Sequence, residues 1–284
     1  MTDISPALPI TDVPLGGLPS ADKTLLANAP LEVAIIEVKF TSSTAEVPVE
    51  VAARIRDALA EVVTVDFPTI QPATQRAMQI NFNAAGASWS GDQMTGWQVA
   101  SSDGQHSAMI FPGSVVWQVG DYKRWSLSMR APLEVLLSAV EMDLAPSLVQ
   151  RVGLRYVDRF VDPSCKSLGD WVGKIEATVL GPLGNAAFGG MVRGAQQQLE
   201  LALDGRHGAL LRHGPIYDQA SKTVNYLLDL DVFAHGASAF VMADVIATAA
   251  RLNRTALSLF QACVSADYLK SLQGEIVAEA EVEG

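Results

Sequence analysis

Three arginines stand four residues apart in the run RVGLRYVDRF at positions 151–160: Arg151, Arg155 and Arg159. Read as a β-strand, the run has a period of two that puts all three on one face with Gly153 and Val157 between them. Val152, Leu154, Tyr156 and Phe160 then go to the other face. Successive guanidiniums would be about 13 Å apart along the strand. The planar fork of arginine takes a carboxylate or phosphate through two parallel hydrogen bonds. The row therefore predicts an anion-binding or partner-binding groove across a sheet. A second reading stands beside it, because charged residues on central strands usually satisfy one another. Glu37, Asp229 and Asp231 fall in other β-prone segments and could supply supporting ion pairs within the sheet.

Other chemistries find less in the chain. Of the four histidines, His106 and His207 sit beside predicted turns, and His235 follows a predicted strand. His207 and His213 could face each other across a hairpin at Asp204-Gly205, but no carboxylate or thiolate nearby completes a metal set. The alternative is that these are exposed turn histidines, and neither a metal nor a cofactor is expected. The glycines of 181–194 lack the GxGxxG order, and no GxxxxGK[ST] or GxSxG occurs, so no catalytic residue is assigned. Cys165 and Cys263 have no CxxC partner, which fits a reducing compartment. Trp89, Trp97, Trp117, Tyr122 and Trp125 crowd one region; they suit sheet core and hairpin pairs better than a ligand pocket or stacking platform.

The elements that would carry these residues follow from periodicity. Residues 31–40 read as a strand with apolar positions on both faces, which predicts a central strand covered on both sides. Pro48 opens an amphipathic helix carrying Val51, Ile55, Ala58, Leu59 and Val62. Residues 77–130 read as a meander, with strands at 78–82, 96–101, 105–111 and 115–119 and turns at Asp103-Gly104 and Pro112-Gly113. Pro132 opens a second helix with Leu133, Leu136, Leu137 and Val140, and 149–161 returns as a long strand. After a short helix at 168–175 and a glycine-rich loop, strands are predicted at 196–203, 209–213 and 223–233. A long helix follows at 242–264 and a short one at 266–272. Antiparallel strands with helices segregated to one face make an α+β fold, with two similar lobes left open as a degenerate duplication.

Length and charge bound the rest. The chain has 284 residues, 49% hydrophobic and 18% charged, with mean hydropathy +0.21, which excludes a disordered chain or a coiled coil. No uncharged apolar run approaches the roughly 20 residues that span a bilayer. Twenty basic against 31 acidic residues give a net charge of −11, which argues against binding along a nucleic-acid backbone. Residues 1–24 hold Pro6, Pro9, Pro14 and Pro19 with Gly16 and Gly17 and read as an extended arm, without a basic leader or apolar signal run. Residues 274–284 read as an acidic solvated tail. The expected organisation is arm (1–24), first α+β lobe (25–162), second α+β lobe (163–273) and tail (274–284), in a cytoplasmic protein.

The order of these motifs resembles a sporadically distributed bacterial family of uncharacterised proteins of about this length. The resemblance rests on Ala29-Pro30-Leu31-Glu32 through Glu37-Val38-Lys39-Phe40, the Asp103-Gly104 turn, the strand from Arg151 to Phe160, Asp229-Leu230-Asp231-Val232-Phe233, and the helix 252–264. Lys39 and Asp158 stand where that family usually has Arg and Asn. The resemblance implies the architecture and transfers no catalytic residue. Its patchy occurrence, typical of mobile or phage-conflict genes, implies an interaction role. The expectation is therefore a non-enzymatic binding or adaptor protein of immunity or antitoxin-like type. A protein partner or a second copy of the chain would be bound through the sheet and the acidic surface, with no membrane. An enzyme acting on a phosphorylated or carboxylated small molecule held by the arginine row, and a structural subunit of a larger assembly, are the alternatives.

Overall fold

The computed structural model describes residues 13–76, 79–83, 86–90 and 93–273, with side chains placed outside 76–93. The first half of the proline-rich arm (1–12), Met78 of the predicted 78–82 strand, the side chain of Trp89 and the acidic tail lie outside the described residues. The elements, in chain order, are β1 (Leu31–Thr41), α1 (Val49–Val63), β2 (Thr69–Arg76), β3 (Gln79–Asn83), β4 (Gly86–Ser90), β5 (Gln93–Ala100), β6 (His106–Phe111) and β7 (Ser114–Val119). They continue with α2 (Ala131–Leu144), β8 (Leu148–Phe160), α3 (Ala177–Leu180), β9 (Gln197–Ala202), β10 (His207–Asp218), β11 (Thr223–Ala239), α4 (Met242–Cys263) and α5 (Ala266–Gln273).

Nine strands form one open antiparallel sheet in the order β2-β5-β6-β7-β1-β8-β11-β10-β9, and β3 and β4 pair as a separate hairpin. The fold is α+β. The boundary expected at residue 162 falls just after β8, yet β8 pairs with β11 from Phe160–Tyr226 to Leu148–Ala239. The two halves of the chain therefore share one hydrogen-bonded sheet. Among the described residues no helix is long and apolar enough to cross a membrane.

The helices cover one face. Ala34, Ile36, Val38 and Phe40 of β1 and Val152, Leu154 and Phe160 of β8 are buried against that layer, in which α1 packs on α2, α2 on α4, and α4 on β8 and β11. The expectation that β1 is covered on both sides needs correcting. It is central, between β7 and β8, but its other face carries half-buried Val33, Ile35, Glu37 and Lys39. Its apolar residues there are flanked by equivalent side chains of the neighbouring strands rather than by a second layer. Trp117 is fully buried and donates from its indole to the Ser128 carbonyl at 2.7 Å, and Trp97 donates to the Val47 carbonyl at 2.7 Å. Both anchor helix-side loops, as sheet-core tryptophans do.

The helix-free face is concave at its β2 end. Gln75, on the edge strand, donates to a Glu37 carboxylate oxygen at 3.3 Å and accepts from the Ser114 hydroxyl at 2.9 Å. Glu37 belongs to β1, four strand steps away, which in a flat sheet would be about 19 Å. The β2–β5 ribbon bends over because β6 pairs only with Trp97–Ala100 of β5. At the bend sits Gly96, where a Cβ would collide with the Ile110 carbonyl oxygen and lie 2.6 Å from the Phe111 ring. Only glycine allows that approach.

Residues 15–28 lie along α4 and α5 and run parallel to them. The Asn28 amide donates to the Leu272 carbonyl at 2.9 Å, Asp22 and Gln261 exchange hydrogen bonds at 2.9 and 2.8 Å, and the Leu15 amide donates to Thr255 Oγ1 at 3.1 Å. Leu15 itself is buried in the core.

Candidate binding face

β8 places Arg151, Arg155 and Arg159 together on the helix-free face, as its alternation requires. Their environments differ. Arg151 folds back along the strand over Gly153, where a Cβ would clash with its guanidinium. This brings it between neighbouring strands: Nη1 donates to Glu37 at 3.0 Å, Nη2 to Asp231 at 3.1 Å, and the guanidinium carbon lies 5.2 Å from the Phe233 ring centroid. Lys39 stands 3.7 Å from the same Glu37. Arg159 is 3.5 Å from Glu32 and 3.5 Å from Asp218. With the buried Asn225 amide turned so that its oxygen faces Arg159, that oxygen accepts from Nε at 3.1 Å and Nη2 at 2.8 Å.

Arg155 is the open member. It grips Asp229 with both ends of its fork, Nε to Oδ1 at 2.7 Å and Nη2 to Oδ2 at 2.8 Å, while its side chain remains 44% exposed. Asp229 is buried beneath it and accepts a second guanidinium, Arg212 Nη1, at 3.3 Å; Arg212 Nε donates to Gln198 at 3.2 Å. The Asp229 hydrogen bonds hold the Arg155 pKa above its ordinary value, so it stays a cation. Two half-exposed guanidiniums thus share one buried carboxylate. Along the face Lys39, Arg151, Arg155, Arg159 and Arg212 meet Glu32, Glu37, Asp218, Asp229 and Asp231, five cations to five anions. Among the described residues, Nη1 of Arg155 and Nη2 of Arg212 have no hydrogen bond.

Glu37 and Asp231 pair with Arg151, and Asp229 pairs with Arg155. Arg212, Glu32 and Asp218 were not foreseen. Arg212 is opposite Asp229 in the β10–β11 register, which a turn at 219–222 sets without a Gly-containing signal. Glu32 reaches Arg159 because the β1–β8 pairing shifts between Leu31 and Val33, and a bulge of this kind re-aims one side chain.

The histidine expectations need correction. His207 and His213 both belong to β10 and do not face each other across a hairpin; His213 pairs in register with Gln197. His207 is held by Asp204 at 2.8 Å, whereas His106 and His213 are buried rather than exposed turn residues. Burial lowers the His213 pKa, and its Nδ1 contacts the Tyr226 hydroxyl at 2.8 Å. Among the described residues no group of three or more His, Cys, Asp or Glu side chains could hold a metal ion.

Behind the arginine row, on the helix side, β8 carries Asp158, 4% exposed. Burial first, and the charge of Asp229 second, push its carboxyl up to about 8. Nearby, the Tyr156 hydroxyl donates to Asn253 at 2.7 Å. Burial raises the thiol of Cys263 to about 12 and that of Cys165 above its ordinary value. Buried thiols held protonated are poor nucleophiles.

Compared with known proteins, the chain matches no family model and no curated protein.

Proposed function

We propose that this chain is a non-enzymatic binding protein, an adaptor that seats a protein partner on the helix-free face of its sheet. The observation that carries the reading is the Arg155–Asp229–Arg212 arrangement. One buried carboxylate fixes two guanidiniums in place and leaves an outward N–H edge on each. Ordering a free arginine side chain costs about 2 kcal/mol in rotamer entropy, and here the fold has already met that cost. Half-buried apolar side chains beside the pair, among them Ile35, Val157, Leu227 and Leu210, add area that a partner would remove from water. A partner carboxylate would accept hydrogen bonds from the outward N–H groups of the two guanidiniums.

The test is affinity capture from the native host with an Arg155→Lys/Arg212→Lys control. Lysine keeps a cation beside Asp229 but lacks the fork, so the fold is retained while the outward edge is lost. A specific protein held by the natural chain and weakened at least tenfold by the double variant is the expected result. Equal capture by both, or capture of nothing specific, sinks the reading.

The same two edges also favour a second reading, in which a small phosphorylated or carboxylated molecule is bound for chemistry. A thermal-shift screen against nucleotides and metabolite anions separates the two. A true ligand at 100 times its Kd adds about 2.7 kcal/mol of stability, and the gain should vanish in the double-lysine variant.

A further inference from the structure

The two edges of the nine-stranded sheet are finished differently. At one end β2 carries Pro72, which has no main-chain N–H, and bends over toward Glu37 through Gln75. At the other end β9 reads Gln197-Gln198-Leu199-Glu200-Leu201-Ala202, with neither proline nor lysine. Its register with β10, and the Leu203 amide donating to the His207 carbonyl at 3.0 Å, fix which main-chain groups point inward. Gln197, Leu199 and Leu201 turn theirs to β10, so Gln198, Glu200 and Ala202 turn theirs outward. Among the described residues, none of these outward amides and carbonyls has a hydrogen-bond partner. The side chains repeat the pattern. Gln198 accepts from Arg212 through Oε1 and leaves Nε2 unused, and Glu200 makes no hydrogen bond or ion pair among the described residues. Leu199, opposite the buried Leu211, is 43% exposed on the helix side.

We propose that β9 is an interface between two copies of this chain, paired antiparallel about a two-fold axis through Leu199. The register follows from the side chains. An axis through Glu200 would set two like charges directly opposite each other, which destabilises a strand pair. An axis through Leu199 instead sets Gln198 of each copy opposite Glu200 of the other, so that an unused amide donor meets an unused carboxylate. It also sets Leu199 against Leu199 in a non-hydrogen-bonded pair, whose Cα atoms stand about 4.5 Å apart, and covers both exposed side chains. The outward amides and carbonyls of Gln198 and Glu200 then bond to those of the other copy on both sides of the axis. Each edge is its own complement, as a two-fold interface requires. Such an axis stands perpendicular to the sheet. The two helix layers therefore fall on one side and the two arginine faces on the other, in one continuous sheet of twice nine strands. This pairing is independent of what the arginine face binds.

Single cysteines in the full-length chain test the register, because Cys165 and Cys263 are buried. Leu199→Cys puts the thiol on the axis, where two copies meet. Leu201→Cys puts it off the axis, so that the two thiols lie about 13 Å apart along the strands and cannot join. Under mild oxidation the Leu199→Cys chain should form a disulfide-linked dimer at least tenfold faster than the Leu201→Cys chain. Two additions to Leu199→Cys should each slow it to the Leu201→Cys rate. Glu200→Pro removes an outward donor and leaves the β9–β10 ladder its bonds. Gln198→Glu keeps an acceptor for Arg212 but sets a second carboxylate opposite Glu200, and so serves even where the proline disturbs the strand. Sedimentation of the natural chain over a dilution series should show a dimer dissociating to monomer. Equal rates for the two cysteines overturn the proposal, as does a Leu199→Cys rate that Gln198→Glu leaves unchanged, or a natural chain that stays monomeric at every concentration.

Discussion

Arg151 and Arg155 carry the same charge on the same face of one strand and do different things. Arg151 is enclosed by two carboxylates and an aromatic ring, so its role is to bind β1, β8 and β11 to one another. Arg155 has half a carboxylate's worth of compensation and an exposed edge. The sequence showed the row, because a period of two needs no tertiary information. It also showed the acidic residues, because Glu37 breaks an apolar strand. Which carboxylate meets which arginine depended on register, and the shift beside Glu32 is invisible in composition. On the reverse face, Asp158 dictates a pH dependence. Its folded pKa of about 8 lies above the ordinary 3.8, so the folded chain holds the proton more tightly than the unfolded one. The stability linked to that proton is fully present below pH 4, declines by about 1.4 kcal/mol per pH unit above it, and is exhausted once pH passes 8. Asp158→Asn removes the titration. Urea unfolding should show the variant equal to the natural chain at pH 4 and more stable by several kcal/mol at pH 8; a difference that is constant with pH would contradict the assignment.

At the level of elements, the helices were the most legible parts. Pro48 and Pro132 mark two starts, and 3.6-residue spacing marks the long α4. Strand β2 was missed because Pro72 interrupts it, a residue tolerated there because β2 is an edge. β10 and β11 were foreseen as short strands but run to Asp218 and Ala239, since β11 is paired on both sides along most of its length. The bend of the β2–β5 ribbon depends on one missing side chain. Gly96→Ala puts a methyl against the Ile110 carbonyl, a backbone atom that no rotamer change can move aside. The substitution should cost about 2–3 kcal/mol in denaturant unfolding and release Gln75 from Glu37, raising amide exchange in residues 93–96. A variant as stable as the natural chain would mean that the ribbon is not held by this approach.

Across the whole molecule, the α+β class and the one-sided helix layer could be read from the order of elements, whereas the continuity of the sheet through residue 162 could not. No local pattern announces that β8 will pair with β11. Because that pairing runs the length of β8, the two halves should not melt separately. Calorimetry of the full chain is expected to show one transition whose van't Hoff and calorimetric enthalpies agree; two resolved transitions would mean independent lobes. The place of β1 has a further consequence for synthesis. Both of its neighbours, β7 and β8, come late, and its last pair, Thr41 with Leu148, is separated by 107 residues. At about 5–20 residues per second of translation, β1 leaves the ribosome with two bare hydrogen-bonding edges until β7 is made, and one of them stays bare for roughly 5–20 s until β8 exists. The central strand of the finished sheet is thus one that must wait, unpaired along an edge, while more than a hundred residues are added.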